Sequence, residues 1–187
     1  MPYSIRQSAI FAFAAAFLVL AAGCTTVTVT PQSNQPPPQI YHAAALVKVD
    51  VQDPAFAYLG PSFRKGFIRR LGELKAFDSV TETPPRPADN GVVVVSATIT
   101  EVDKGDAVLR MLIGMGAGHE HIIARLDMQS ADGKPVGSFQ VIKDYAGGAG
   151  IGGATMVDIE DLMVQVGEQG AQSLLDWSQG KLVAAAN

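Results

Sequence analysis

The chain has 187 residues, 48% of them hydrophobic, with 14 Lys/Arg against 18 Asp/Glu for a net charge of -4, and one cysteine. That length suits a single domain. The acidic balance excludes a nucleic-acid binder, which needs a clustered basic excess to neutralise phosphates. A single cysteine excludes an internal disulfide framework and any Cys-only metal site.

Residues 1–23 read as an address. Arg6 and the amino terminus form a short positive region, and an uncharged apolar run follows from Ala9 to Ala22. That run is shorter than the ~20 residues a helix needs to cross a bilayer. Ala21, Ala22 and Gly23 then precede Cys24. This arrangement resembles the lipobox of bacterial lipoproteins, with Ala21 where Leu is common. The resemblance implies cleavage after Gly23, lipidation of the Cys24 thiol and acylation of the new amino terminus, so that the lipid bilayer is a partner through Cys24. Thr25 stands where Asp would retain an enterobacterial lipoprotein in the inner membrane, which points to the outer membrane, on its periplasmic face. The alternative is an ordinary secretory signal with an incidental cysteine, or an uncleaved anchor. Acyl chains contribute ~0.8 kcal/mol per buried methylene, so the globular part need not touch lipid.

Residues 24–39 are expected to be the lipidated cysteine and a proline-rich tether. Residues 25–39 carry no charge and four prolines, and Pro36-Pro37-Pro38 favours polyproline II. At ~3.1 Å per residue such a spacer reaches up to ~45 Å.

A single globular domain is expected over residues 40–180, with a tail at 181–187. Ala43–Val51 alternates late in the run, placing Val47, Val49 and Val51 on one face, and reads as a strand. Gly60-Pro61-Ser62 opens a helix whose stripe is Phe63, Phe67, Leu71 and Leu74. A short strand over 76–82 is followed by a proline-rich loop. Gly91–Val102 begins apolar on both faces and reads as a central strand. From His119 to Met128 the period is again two. The turn Ala131-Asp132-Gly133-Lys134 joins that strand to Val136–Tyr145 in a hairpin. A glycine loop, Gly147 to Gly153, leads to a helix from about Thr155 to Gln179, with Ile159, Leu162, Met163, Val166, Leu174 and Trp177 inward. Gly167 and Gly170 beside that stripe would allow close approach to the sheet. The order β-α-β-β-β-β-α predicts an α+β domain, a mixed sheet of four to five strands with two amphipathic helices on one face. The other sheet face is partly polar, hence solvated or covered by a partner.

No catalytic constellation is present: no G-x-S-x-G serine, no nucleophile beside a base, no carboxylate pair in a convincing cleft. Gly114, Gly116 and Gly118 miss the dinucleotide spacing, and the run after them reads as a strand. The second glycine loop precedes a helix whose amides could hold an anion, but lacks a lysine and carries Asp158, Glu160 and Asp161. Met111, Leu112, Ile113, Gly114, Gly116 and Gly118 form an apolar loop suited to contacting a partner. His119 and His121 share a strand face and could begin a zinc or copper site, given a third ligand from His42, Glu101 or Asp103. A polar strand face explains the pair without metal, and no metal or cofactor is expected. Arg64, Lys65, Arg69 and Arg70 make a basic helix face, either solvated or attracted to lipid phosphates.

GVVVVSATITEVDKG, LRMLIGMGAG, the DGKPVG turn and the glycine loop before the last helix resemble an uncharacterised family of bacterial lipoproteins built on a domain of unknown function, over roughly residues 40–180. The element order alone is similar to the N-terminal domain of the Tol–Pal protein TolB and the periplasmic part of curli-secretion lipoproteins. The resemblance implies no catalytic residues. The expectation is a non-enzymatic envelope lipoprotein that binds another envelope protein, or alternatively a periplasmic small-ligand or metal-binding domain.

Overall fold

The computed structural model describes residues 24–32, 36–104, 120–146 and 158–182. Six strands form one mixed sheet: β1 (Cys24–Pro31), β2 (Ala43–Val51), β3 (Ser79–Thr81), β4 (Val92–Asp103), β5 (Glu120–Ser130) and β6 (Pro135–Ala146). Two helices, α1 (Gly60–Leu74) and α2 (Ile159–Ser178), complete the fold, and a 3-10 turn (Pro54–Leu59) leads into α1. The strand order across the sheet is β1-β6-β5-β4-β2-β3. β2 runs parallel to β3 and β4, and the other pairs are antiparallel. Parallel pairing requires a crossover, which α1 supplies between β2 and β3. The expected α+β class and β-α-β-β-β-β-α order are present, with one strand more than anticipated.

The additional strand is β1, which lies in the segment expected to be a tether. Cys24 to Pro31 pair antiparallel with β6, from Cys24 opposite Ala146 to Pro31 opposite Phe139. The sequence TTVTVT alternates β-branched residues at period two, so it fits a pleated edge as well as it fits a spacer. Only the chain after Pro31 remains as a connection. It must pass from one edge of the sheet to β2, four strand spacings away, or about 19 Å. The prolines thus stiffen a crossing at the end of the sheet and do not hold the domain away from its amino terminus.

One face of the sheet is the core. Val93, Val95, Ala97 and Ile99 of β4, Ile122, Ala124, Leu126 and Met128 of β5, and Phe139 and Val141 of β6 all point into it and are buried. In β2 a bulge between Leu46 and Lys48 changes the parity. Ala44 and Leu46 lie opposite Val93 and Val95 before the bulge, and Val49 and Val51 opposite Ala97 and Ile99 after it. Val47 therefore does not share a face with Val49 and Val51 as the alternation suggested, because one extra residue shifts everything beyond it.

Both helices cover this same face and join one hydrophobic core. α1 buries Phe63, Phe67 and Leu71, and α2 buries Leu162, Met163, Val166, Leu174 and Trp177. Asp158 caps α2, its carboxylate accepting from Glu160 N at 3.0 Å, which satisfies one of the free amides at the helix start. Gly170 faces Leu126 of the sheet, as expected for close approach. Gly167 instead faces the backbone of α1 at Phe63 and Phe67.

Candidate functional site

The face of the sheet opposite the helices carries mostly polar side chains, with Ile123 opposite Ile142 among them. Across its middle, Arg125 grips Asp127 on the same strand with contacts from 2.9 to 3.1 Å. The Asp127 carboxylate holds the Arg125 guanidinium proton more tightly than usual. Lys48 sits 3.5 Å from Asp50 on β2. Both pairs are half exposed, so each contributes little stability. Their effect is to keep this face hydrated and unattractive to apolar surfaces.

One end of the sheet gathers more. Thr26, Asp144, His121 and Asp103 fall in one cross-strand row: Thr26 opposite Asp144, Asp144 opposite His121, and His121 opposite Asp103. His121 Nδ1 lies 2.5 Å from Asp144 Oδ1. The same end holds Glu120, which is buried at 5% exposure, together with the backbones of Cys24 and Ala146. In the row, Asp144 stands between Thr26 and His121, and Asp103 occupies the neighbouring strand on the other side of His121. Among the described residues the hydrogen-bond partner of the imidazole is the Asp144 carboxylate.

The core face holds one unexpected cation. Lys143 shares the inward register of Phe139 and Val141 and is only 6% exposed. Burial lowers its proton affinity, and nearby Glu168 partly restores it. Arg70, Lys143, Gln165, Glu168, Gln169 and Gln172 line an open polar cleft of about 250 Å³ here. Sequence reasoning missed Lys143, although its parity with Phe139 and Val141 was the available signal.

The basic face of α1 is largely committed to the fold. Arg64 donates to Leu46 O at 3.0 Å, beside the β2 bulge, and to Glu82 at 2.8 Å. Arg69 pairs with Glu168 of α2, and Arg70 bonds Gln172 of α2 at 3.3 Å. These three arginines fasten α1 to its neighbours, which leaves Lys65 as the residue of that face without a role in packing.

Of the residues singled out from sequence, His121 is placed on the open face, paired with Asp144. Ala21, Ala22, Gly23, the loop residues Met111, Leu112, Ile113, Gly114, Gly116 and Gly118, and His119 lie outside the described residues, as does the glycine loop before α2. Cys24 is placed as the first residue of β1. Glu101 lies opposite Ile123 one step along the sheet from His121, and His42 precedes β2 at the far end. Among the described residues, no group of three or more His, Cys, Asp or Glu is arranged to hold a metal ion. Among the same residues, no helix is long and apolar enough to cross a membrane.

Residues 37–149 match the model of DUF4410, a domain of unknown function. The chain belongs to this family. The matched DUF4410 segment runs from before β2 to beyond β6, so that β1 and α2 flank it. No curated protein matches the chain. Among solved structures, it is similar to a PelC dodecamer from Paraburkholderia phytofirmans, at 13% identity and a TM-score of 0.49, covering 80% of this chain and 97% of that one. It is similar to lipoprotein GNA1162 from Neisseria meningitidis at 11% identity and a TM-score of 0.37, covering 73% and 99%. A minor lipoprotein from Acinetobacter baumannii gives 12% identity and a TM-score of 0.38, covering 80% and 100%.

Proposed function

We propose that this DUF4410 chain is a lipid-anchored envelope lipoprotein of the outer membrane, which works without catalysis as a binding or assembly accessory for another envelope protein. The observation that carries the reading is the sequence Ala21-Ala22-Gly23-Cys24 at the end of a short apolar run. A thiol in that position is the attachment point for a diacylglyceryl group, and two or more acyl chains make anchoring stable. Thr25 in place of Asp favours the outer membrane by the sorting rule that the lipobox resemblance brings with it.

The accessory role rests on what the described surface offers. In the row Thr26–Asp144–His121–Asp103 the imidazole is bonded to a carboxylate, and among the described residues no hydroxyl or thiol is bonded to it. The open sheet face and β1, an edge strand among the described residues, are surfaces of the kind that proteins recognise.

The test is mass spectrometry of the amino terminus of protein taken from bacterial membranes. Loss of residues 1–23 with a triacylated Cys24 supports the anchor, and an unmodified Cys24 or a retained leader overturns it. Crosslinking in intact envelopes, repeated with and without the β1 edge blocked by Val27→Pro, whose N–H faces away from β6, then tests the accessory role. A partner captured only by the unblocked edge supports it, and no reproducible partner overturns it.

A further inference from the structure

The lipobox cysteine is also the first residue of a strand, and this fixes more than an attachment point. Cys24 lies opposite Ala146, the last residue of β6. Glu120, the first residue of β5, lies opposite Tyr145, and Asp103, the last residue of β4, lies opposite His121. The start of β1, the end of β6, the start of β5 and the end of β4 therefore meet at one end of the sheet. The opposite end carries the β5–β6 turn, where Gly133 N donates to Ser130 O and Ser130 N to Lys134 O. From Glu120 to Ser130 the two ends are about 33 Å apart.

We infer that the domain stands on the bilayer with the Cys24–Asp103–His121–Asp144 end of the sheet at the lipid headgroups and the Asp132–Gly133 turn pointing away. The inference rests on the anchored reading above. If Cys24 is acylated, the length of free chain between the acyl chains and the folded sheet is zero residues, because Cys24 is itself paired in β1. Only the cysteine side chain and its glyceryl linker would then separate the acyl groups from the sheet end. A tether of fifteen extended residues would have left every orientation open, and a strand that begins at the anchor keeps this end of the sheet nearest the membrane. The occupant of this end is thus the phospholipid surface, reached through continuity of the covalent chain. The paired His121 and Asp144 then sit at the headgroup level, where their polar side chains stay hydrated.

The test uses the full-length acylated protein in vesicles of phosphatidylethanolamine and phosphatidylglycerol that contain a headgroup spin-labelled lipid. Acylation occupies the only native thiol, so Asp103→Cys, Lys104→Cys and Asp132→Cys can each be labelled with a fluorophore alone. Quenching several-fold stronger at positions 103 and 104 than at 132 is expected, and two near positions guard against disturbance of one of them. Equal quenching at all three, or stronger quenching at 132, in protein whose acylation has been verified by mass, overturns the orientation and leaves the anchor standing. Unacylated protein overturns both.

Discussion

Gly66 on α1 and Gly167 on α2 make room for each other's helix where the two cross. A Cβ on Gly66 would lie 2.8 Å from the Val164 carbonyl carbon and closer still to its oxygen. A Cβ on Gly167 would lie 2.9 Å from Phe67 N and would overlap the Phe63 carbonyl oxygen. The obstacles are backbone atoms on the facing helix, so they can yield only if the helices separate and the shared core beneath them loosens.

Gly66→Ala and Gly167→Ala should each destabilise the protein by about 1–3 kcal/mol, the cost of forcing an extra methyl into a packed interior. Gly72→Ala is the control. It sits in the same helix with nothing within 4 Å of a new Cβ, and should be neutral or up to about 1 kcal/mol stabilising through helix propensity. Urea unfolding midpoints check all three.

Gly137 and the single tryptophan form a second close pair. Trp177 is 2% exposed and stacks on Tyr41 with ring centroids 5.7 Å apart. A Cβ on Gly137 would lie 2.6 Å from Trp177 Nε1, 2.9 Å from its Cε2 and 3.1 Å from Met128 Cε. Gly137→Ala should therefore displace the indole, moving the folded protein's emission to longer wavelength, and cost about 1–3 kcal/mol. Unchanged emission would mean that the strand, and not the ring, gives way.

Two buried groups give the alkaline range opposite slopes. Lys143 has a proton affinity lowered by burial from the ordinary 10.5. Between its lowered value and 10.5 the unfolded chain binds the extra proton, so stability rises with pH there. Tyr41 has its affinity raised from 10.0, first by burial and then by the charge of Asp132. Above 10.0 the unfolded phenol ionises while the folded one does not, so stability falls as pH rises. Lys143→Met should abolish the rise and stabilise the protein near neutral pH. Tyr41→Phe should abolish the fall. Its hydroxyl has no hydrogen-bond partner among the described residues, so the change should cost nothing at pH 8. Unfolding free energies across the alkaline range, compared with wild type, check both slopes.

Part of the candidate site could be read from residue order. The hairpin and its turn at Asp132-Gly133 are legible, but Ser130 meets Lys134 and Gln129 meets Pro135, and only the register shift between Met128 and Gln129 brings Asp144 in place of Lys143 opposite His121. The place of Asp103 beside His121 depends likewise on the β4 bulge between Ile99 and Glu101. No local pattern announces that bulge. The β2 bulge escaped for the same reason, and with it the true facing of Val47.

What residue order determined by itself was periodicity: the strands and helices of the domain, the inward stripes of α1 and α2, and the Cys24 motif. Those are local consequences of side-chain spacing along a pleat or a helix, and they survive without knowledge of any partner strand. What only the tertiary structure decided was the fate of residues 24–31. Their composition satisfies a solvated spacer and an edge strand equally, because an edge strand's backbone can find its partners in water or in a neighbour. The choice is made by β6, more than a hundred residues away, and it turns a presumed leash into the outermost strand of the sheet.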